Sequence, residues 1–253
     1  MSSKRTLVIA IIAIILVLAA LGTFALWLFG RSEADVADDG PGTGVSDTGI
    51  VFVRAIDTYG DARVTLPVGI GAGSDGGFFV TLRDQSKVVE YDAQGDYVQS
   101  WGEHGLESGQ LMVPLGVAVD RAGDRVYVTD RSRLRLICYD LTGAYRWEIP
   151  IINPLTPAIT PAGIAVTTYG QIVLFDPEGV VLGEFGSRGE LPGQFDYARG
   201  ITAAGEDGAF VADSNNTRVQ RIEFSGEATA AVNWVYGRPP LNQADATTVF
   251  GLP

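Results

Sequence analysis

The chain has 253 residues with 18 basic and 30 acidic side chains, a net charge of -12, one His and one Cys. That length supplies a large core, the Gly-rich, helix-poor pattern favours one all-β domain over two, and the acidity makes nucleic acid a poor partner. A lone Cys closes no internal disulfide, and a lone His nearly excludes a His-rich zinc site.

Lys4 and Arg5 precede an uncharged apolar run from Thr6 to Phe29, closed by Gly30 and Arg31. A helix rises 1.5 Å per residue, so the run spans roughly 35 Å and crosses a bilayer. A cleaved signal peptide is the alternative, but TFALWLFGR lacks a small-x-small cleavage site. Residues 6–30 are therefore expected to be an uncleaved transmembrane signal anchor, with residues 1–5 cytoplasmic. Arg31 is followed by Glu33, Asp35, Asp38 and Asp39, so the positive-inside rule places the rest of the chain outside the cell. Residues 31–49 hold Asp, Gly, Ser and Thr with almost no large apolar side chain, which makes a flexible tether.

From Ile50 onward one pattern recurs. Aligned on a Gly, the copies read LPVGIGA at Leu66, VPLGVAVD at Val113, TPAGIAV at Thr160 and YARGITA at Tyr197. A second apolar run follows in GGFFVTL, DRVYVTD and GAFVAD, then a polar loop and a third run in KVVEYD, LRLICYD, GQIVLFD and TRVQRIEF. A fourth run ends in an aromatic and Gly: DYVQSWG, VVLGEFG, AVNWVYG. Alternation at period two, cut by turn residues, predicts antiparallel strands, and four per unit of about 45 residues predict the blade of a β-propeller.

The units resemble the NHL-repeat family of propellers. The resemblance rests on Gly109, Gln110, Leu111, Pro114, Gly116, Val117, Ala118, Val119 and Asp120 in the second unit. In the fourth it rests on Gly193, Gln194, Phe195, Gly200, Ile201, Val211, Ala212, Asp213, Ser214, Asn216, Arg218 and Val219. It implies an all-β propeller over residues 50–253, six blades in a complete ring and about four present here. Some members bind RNA, but the 15 basic and 25 acidic residues from Ile50 on argue against carrying that over. Six-bladed rings also include lactonases with a carboxylate-bound metal and a zinc lyase, so a calcium-dependent hydrolase or lyase is the alternative to a protein- or ligand-binding scaffold.

Three features break the pattern. Gly69 to Gly116 and Gly116 to Gly163 are each 47 residues, but Gly163 to Gly200 is 37. The third blade is therefore expected either to have three strands or to use Thr167 to Tyr169 twice. IVFVRAID at Ile50 reads as an outer strand whose inner partners come from the C-terminal end. VFGLP at Val249 resembles the lead-in to another unit, which suggests a truncated chain.

In a propeller, the loops between second and third strands share one face with the connections between blades. That face carries Lys87, Arg83, Arg131, Arg133 and Arg218, with Arg199 near the central channel, and these arginines are the candidates for binding an anionic ligand or an acidic envelope protein. The opposing reading is that they pair with Asp84, Asp130 or Asp213 and hold turns. The opposite turns carry Asp75, Asp92, Asp96, Asp120, Asp124, Asp140, Asp176, Glu178, Glu206, Asp207 and Glu227, with few bases. Asp130, Asp213, Asn215 and Asn216 are the candidate oxygen ligands of a calcium ion, although Asp at the end of a second strand also caps turns. His104 reads as a solvated loop residue and Cys138 as a small buried hydrophobe. Trp101, Trp147, Phe185 and Trp234 read as packing between blades. No residue set supports catalysis, and no other cofactor is implied.

Overall fold

The computed structural model describes residues 53–224 and the backbone of strands at 230–237 and 249–250. The expected anchor at 6–30, the tether at 31–49 and the side chain of Trp234 lie outside the described residues. The chain divides into two units, Met1–Ala55 and Ile56–Pro253, and every strand belongs to the second. Among the described residues there is no helix, and none long and apolar enough to cross a membrane.

Four antiparallel sheets follow one another as blades. Blade 1 contains β3 (Pro67–Ala72), β4 (Phe78–Leu82), β5 (Lys87–Tyr91) and β6 (Tyr97–Trp101), after a hairpin of β1 (Thr58–Tyr59) and β2 (Ala62–Arg63). Blade 2 contains β7 (Pro114–Asp120), β8 (Arg125–Asp130), β9 (Arg135–Tyr139) and β10 (Tyr145–Pro150). Blade 3 contains β11 (Pro157–Thr160), β12 (Gly163–Thr167), β13 (Ile172–Phe175) and β14 (Val181–Phe185). A short parallel pair, β15 (Ser187–Arg188) and β16 (Gln194–Phe195), leads into blade 4: β17 (Ala198–Ala204), β18 (Gly208–Asp213), β19 (Arg218–Phe224), β20 (Ala230–Gly237) and β21 (Val249–Phe250).

Blade 3 corrects the sequence reading. It has four strands, and Gly163 opens the second of them rather than the first. The innermost strand is the run PAIT just before it. Counted from the starts of the innermost strands, the spacings are 47, 43 and 41 residues, so nothing is missing or fused. The cause is that glycine does two jobs here. Gly69 and Gly116 let neighbouring inner strands touch: a Cβ would stand 2.2 Å from the Leu115 carbonyl oxygen in the first case and 2.4 Å from Pro157 Cδ in the second. Gly163 instead has φ of +129° in a hairpin turn, a conformation that other residues rarely adopt.

The start of the repeat also differs from expectation. Residues 53–57 form no strand, and Ile56, Tyr59 and Val64 pack on Leu82, Val89 and Tyr91 of blade 1, with the Tyr91 hydroxyl donating to the Thr58 carbonyl at 3.0 Å. Val249–Phe250 pairs with β20 as a fifth strand of blade 4.

Each blade sandwiches apolar residues against the next. Phe79 and Val88 of blade 1 share a cluster with Val117, Val126 and Ile137 of blade 2, and Leu136 and Cys138 of blade 2 with Ile164, Val166 and Phe175 of blade 3. Trp101 bridges Phe79 and Tyr139 with ring centroids at 5.7 and 6.0 Å, as expected for packing between blades. Between the inner strands, threonines act as clips. Thr81 Oγ1 accepts from Gly69 N–H and donates to the Leu115 carbonyl, and Thr129 Oγ1 does the same between Gly116 and Leu155, each donation at 2.6 Å. At the matching place in blade 4 stands Ala212, which is exposed.

The signature residues ahead of blades 2 and 4 have a physical role as well. Gln110 Oε1 accepts from Glu107 N–H and Gln194 Oε1 from Leu191 N–H, closing each connecting loop. Gly109 and Gly193 turn there with positive φ, and Leu111 and Phe195 are driven fully into the seam between blades.

Candidate functional site

The inner strands border an open cavity of about 520 Å³ whose lining comes from all four blades. Its wall includes Val68, Ile70, Leu115 and Thr156, and its rim includes Arg83, Arg131, Tyr197 and Arg199. The rim arises from the repeat. Arg83 and Arg131 each stand two residues after the clip threonine of their second strand, and Tyr169 holds the same place in blade 3, after Thr167. Arg199 enters from the start of β17, where Val68 and Leu115 stand in the first two blades.

These rim groups stack across blades 2 to 4. Arg131 Nη2 donates to the Tyr169 hydroxyl at 2.7 Å, and its guanidinium carbon lies 5.9 Å from that ring's centroid. Tyr169 packs against Tyr197 at 4.9 Å, and the Arg199 guanidinium lies 5.5 Å over the Tyr197 ring. Thr156 Oγ1 donates to the Arg199 carbonyl at 2.6 Å and fixes the strand that carries it. Aromatic faces hold the cations in place without neutralising them. Neither Arg131 nor Arg199 has a carboxylate partner among the described residues, and Arg83 has only a loose one, Asp84 at 3.9 Å.

The other two candidate arginines are employed differently. Arg133 pairs with Glu148 at 2.8 Å and donates to the Gln110 and Leu106 carbonyls, tying the connection between blades 1 and 2 to the outer strand β10. Arg218 pairs with Asp213 at 2.8 Å, both nearly unexposed, and donates to the Glu190, Leu191 and Gln194 carbonyls. The opposing reading of the sequence therefore describes Arg133 and Arg218, with Glu148 replacing the nearer acids for the first, while the rim gathers Arg83, Arg131 and Arg199. Tyr169 and Tyr197 belong to the rim too, and the sequence reading did not single them out as ligand-facing.

The two carboxylates proposed for calcium, Asp130 and Asp213, are already engaged. Asp130 accepts from the N–H groups of Met112, Val113, Ser132 and Arg133. Asp213 accepts from Asp196 N–H, Asn216 Nδ2, Arg218 Nε and Gln220 Nε2. Asn215 donates its backbone N–H to the Asp196 carbonyl. Both carboxylates are fully buried and act as turn anchors, and no group of three or more His, Cys, Asp or Glu among the described residues could hold a metal ion. His104 is exposed, with Nδ1 3.1 Å from Ser86 Oγ.

On the opposite face the acids are mostly spent on structure. Asp92, Asp140 and Asp176 each accept from two backbone N–H groups of the following turn. The Thr142 hydroxyl and those N–H groups hold the Asp140 carboxyl below its ordinary range. That face also holds more cations than the sequence suggested, all paired: Arg121 with Asp75 and Glu90, Arg125 with Glu178, Arg146 with Asp124 and Asp140, Arg221 with Asp207.

Comparison with known proteins bears on the repeat and the fold. The profile of the NHL repeat matches residues 111–139, from Leu111 to the end of β9. Protein brain tumor of Drosophila melanogaster is 26% identical over 139 residues, which is 50% of this chain and 13% of that protein. Virginiamycin B lyase from Staphylococcus aureus superposes with a TM-score of 0.54 at 17% identity, over 78% of this chain and 62% of the lyase. A protein from Lactobacillus plantarum gives 0.56 at 11% identity, over 77% of this chain and 61% of that one. The chain thus spans less than two thirds of these solved structures and a small part of the fly protein, and at such identities the likeness carries the fold alone. The second blade holds an NHL repeat, and the described residues form an all-β propeller arrangement of four blades.

Proposed function

We propose that the chain is a membrane-anchored, extracytoplasmic binding module that receives an anionic ligand or the acidic surface of an envelope protein at the rim of its central channel. The blades are of the kind that build six-bladed rings, and the apolar run from Thr6 to Phe29 supplies the anchor. One observation carries the binding role: Arg131 and Arg199 face a cavity, are backed by aromatic rings and have no carboxylate partner among the described residues, in a chain of net charge -12. An uncompensated guanidinium pair at a concave site favours an incoming anion through charge-assisted hydrogen bonds. Nucleic acid stays unfavoured, because a strand binding there would lie against a strongly acidic molecule.

The test uses the full chain in phosphatidylcholine nanodiscs, titrated calorimetrically with inorganic phosphate and with a hexaglutamate peptide. Charged hydrogen bonds contribute about 1.5–3 kcal/mol each. Replacing Arg131 and Arg199 together by Ser should therefore weaken binding of at least one probe at least tenfold and flatten its dependence on salt. Equal affinity and salt dependence in the variant would refute the proposal.

A further inference from the structure

The cavity is two-sided, and its two sides call for one kind of ligand. All its cations lie at the rim, where the inner strands begin. Apolar side chains begin at the same level, with Val68 and Leu115 in the places that Arg199 takes in blade 4, and continue along β3 with Ile70. Val68 and Ile70 alternate with Gly69 and Gly71, which press against the backbone of β7, so the two apolar side chains point the other way. They are 50% and 71% exposed, a large apolar exposure for the innermost strand of a blade. In blade 2 the corresponding strand is mostly buried. Ile70 stands two residues past Val68, so the apolar wall runs roughly 7 Å inward from the level of Arg199.

We infer that the rim takes an amphiphilic anion: a phosphate, sulfate or carboxylate head held by Arg131 and Arg199, on a short apolar chain lying along Val68 and Ile70. The inference rests on the binding role proposed above and adds the class of ligand. A head alone leaves the apolar wall in water, and a neutral apolar molecule leaves the guanidinium groups without a partner. Tyr197 lines the same cavity beside Arg199. The ligand enters as a single dissolved molecule, because a concave cavity of about 520 Å³ admits one chain and not a bilayer surface.

A homologous series separates these requirements. The full chain, in phosphatidylcholine nanodiscs, is titrated with methyl, butyl, hexyl and octyl phosphate, and with vesicles of phosphatidylcholine containing dioleoyl phosphatidate. Burial of a methylene gains about fourfold in affinity, so octyl phosphate, with two or more methylenes buried, should bind at least tenfold tighter than methyl phosphate. That gain should vanish in the double variant Arg131→Ser, Arg199→Ser and shrink in Val68→Ser, Ile70→Ser, whose positions are exposed enough to tolerate the change. The vesicles should not bind.

If methyl phosphate binds as well as octyl phosphate and needs the arginines, the amphiphile is wrong and the anion-binding module stands. A chain-length gain that persists without the arginines would also refute the inference, since the chain would then partition elsewhere. Vesicle binding matching that of the free phosphates would replace a single dissolved ligand by a membrane surface. Were no phosphate or acidic peptide to bind at all, both readings would fall together.

Discussion

Arg131 and Arg133 leave the same loop two residues apart and meet opposite fates. Arg133 turns inward, where Glu148 and two carbonyls use its donors; Arg131 turns to the channel, where it meets the ring and hydroxyl of Tyr169. Blade 4 repeats the contrast, with Arg218 locked to the buried Asp213 and Arg199 lying over Tyr197. A cation on this face is therefore structural when a carboxylate and loop carbonyls surround it, and available when its neighbour is an aromatic face.

The contrast should appear first in stability. Arg218→Ala strands the buried Asp213 charge and should cost about 3–5 kcal/mol in urea denaturation. Arg133→Ala should cost roughly 2–3 kcal/mol, through the loss of charge-assisted bonds at a site closer to solvent. Ser at Arg131 or Arg199 should move stability by no more than about 0.5 kcal/mol. A cost below about 1 kcal/mol for Arg218→Ala would erase the distinction between the two sets.

Two glycines sharpen the comparison at the level of the blades. Gly116→Ala drives a Cβ against Pro157 and the Leu155 carbonyl oxygen, and should cost about 1–3 kcal/mol. Gly200→Ala meets only the Ala212 Cβ at 3.7 Å and should be near neutral. Equal costs would mean that close approach of neighbouring inner strands is not what the first glycine secures.

Cys138 reports on the same seam between blades 2 and 3. Burial raises its thiol pKa to about 12, so at pH 8 the folded chain should not react with an aromatic disulfide reagent. Because the thiolate forms only above that pH while the fold holds, any labelling at pH 8 results from opening of the seam. It should be faster in Gly116→Ala than in Gly200→Ala, and no difference between the two would break the link between packing and access.

Much of this architecture is legible in the residues. Alternating apolar runs mark the strands, and Asp-x-x-Gly at Asp92, Asp140 and Asp176 marks the outer turns, because an Asp oxygen and a positive-φ glycine are what such a turn needs. Blade 3 is misregistered when Gly163 is equated with Gly116, since one serves a turn and the other a close contact. Better markers are present: Pro67, Pro114 and Pro154 each stand two residues before the N–H that donates to the clip threonine, and Thr81, Thr129 and Thr167 recur in the second strand. The same misregister hides Tyr169 as the counterpart of Arg131. The face bearing the arginines emerges from the repeat. Which of them are neutralised does not, since the partners of Arg133 include an acid in β10 and carbonyls from the preceding connection.

Carbon-13 spectra of the guanidinium groups of the full chain, recorded as inorganic phosphate is added, test the central claim most directly. The resonances of Arg131 and Arg199 should move together along one binding curve while those of Arg133 and Arg218 stay fixed. Movement of all four alike, or of none, would contradict a rim that is open to anions and set apart from the structural arginines beside it.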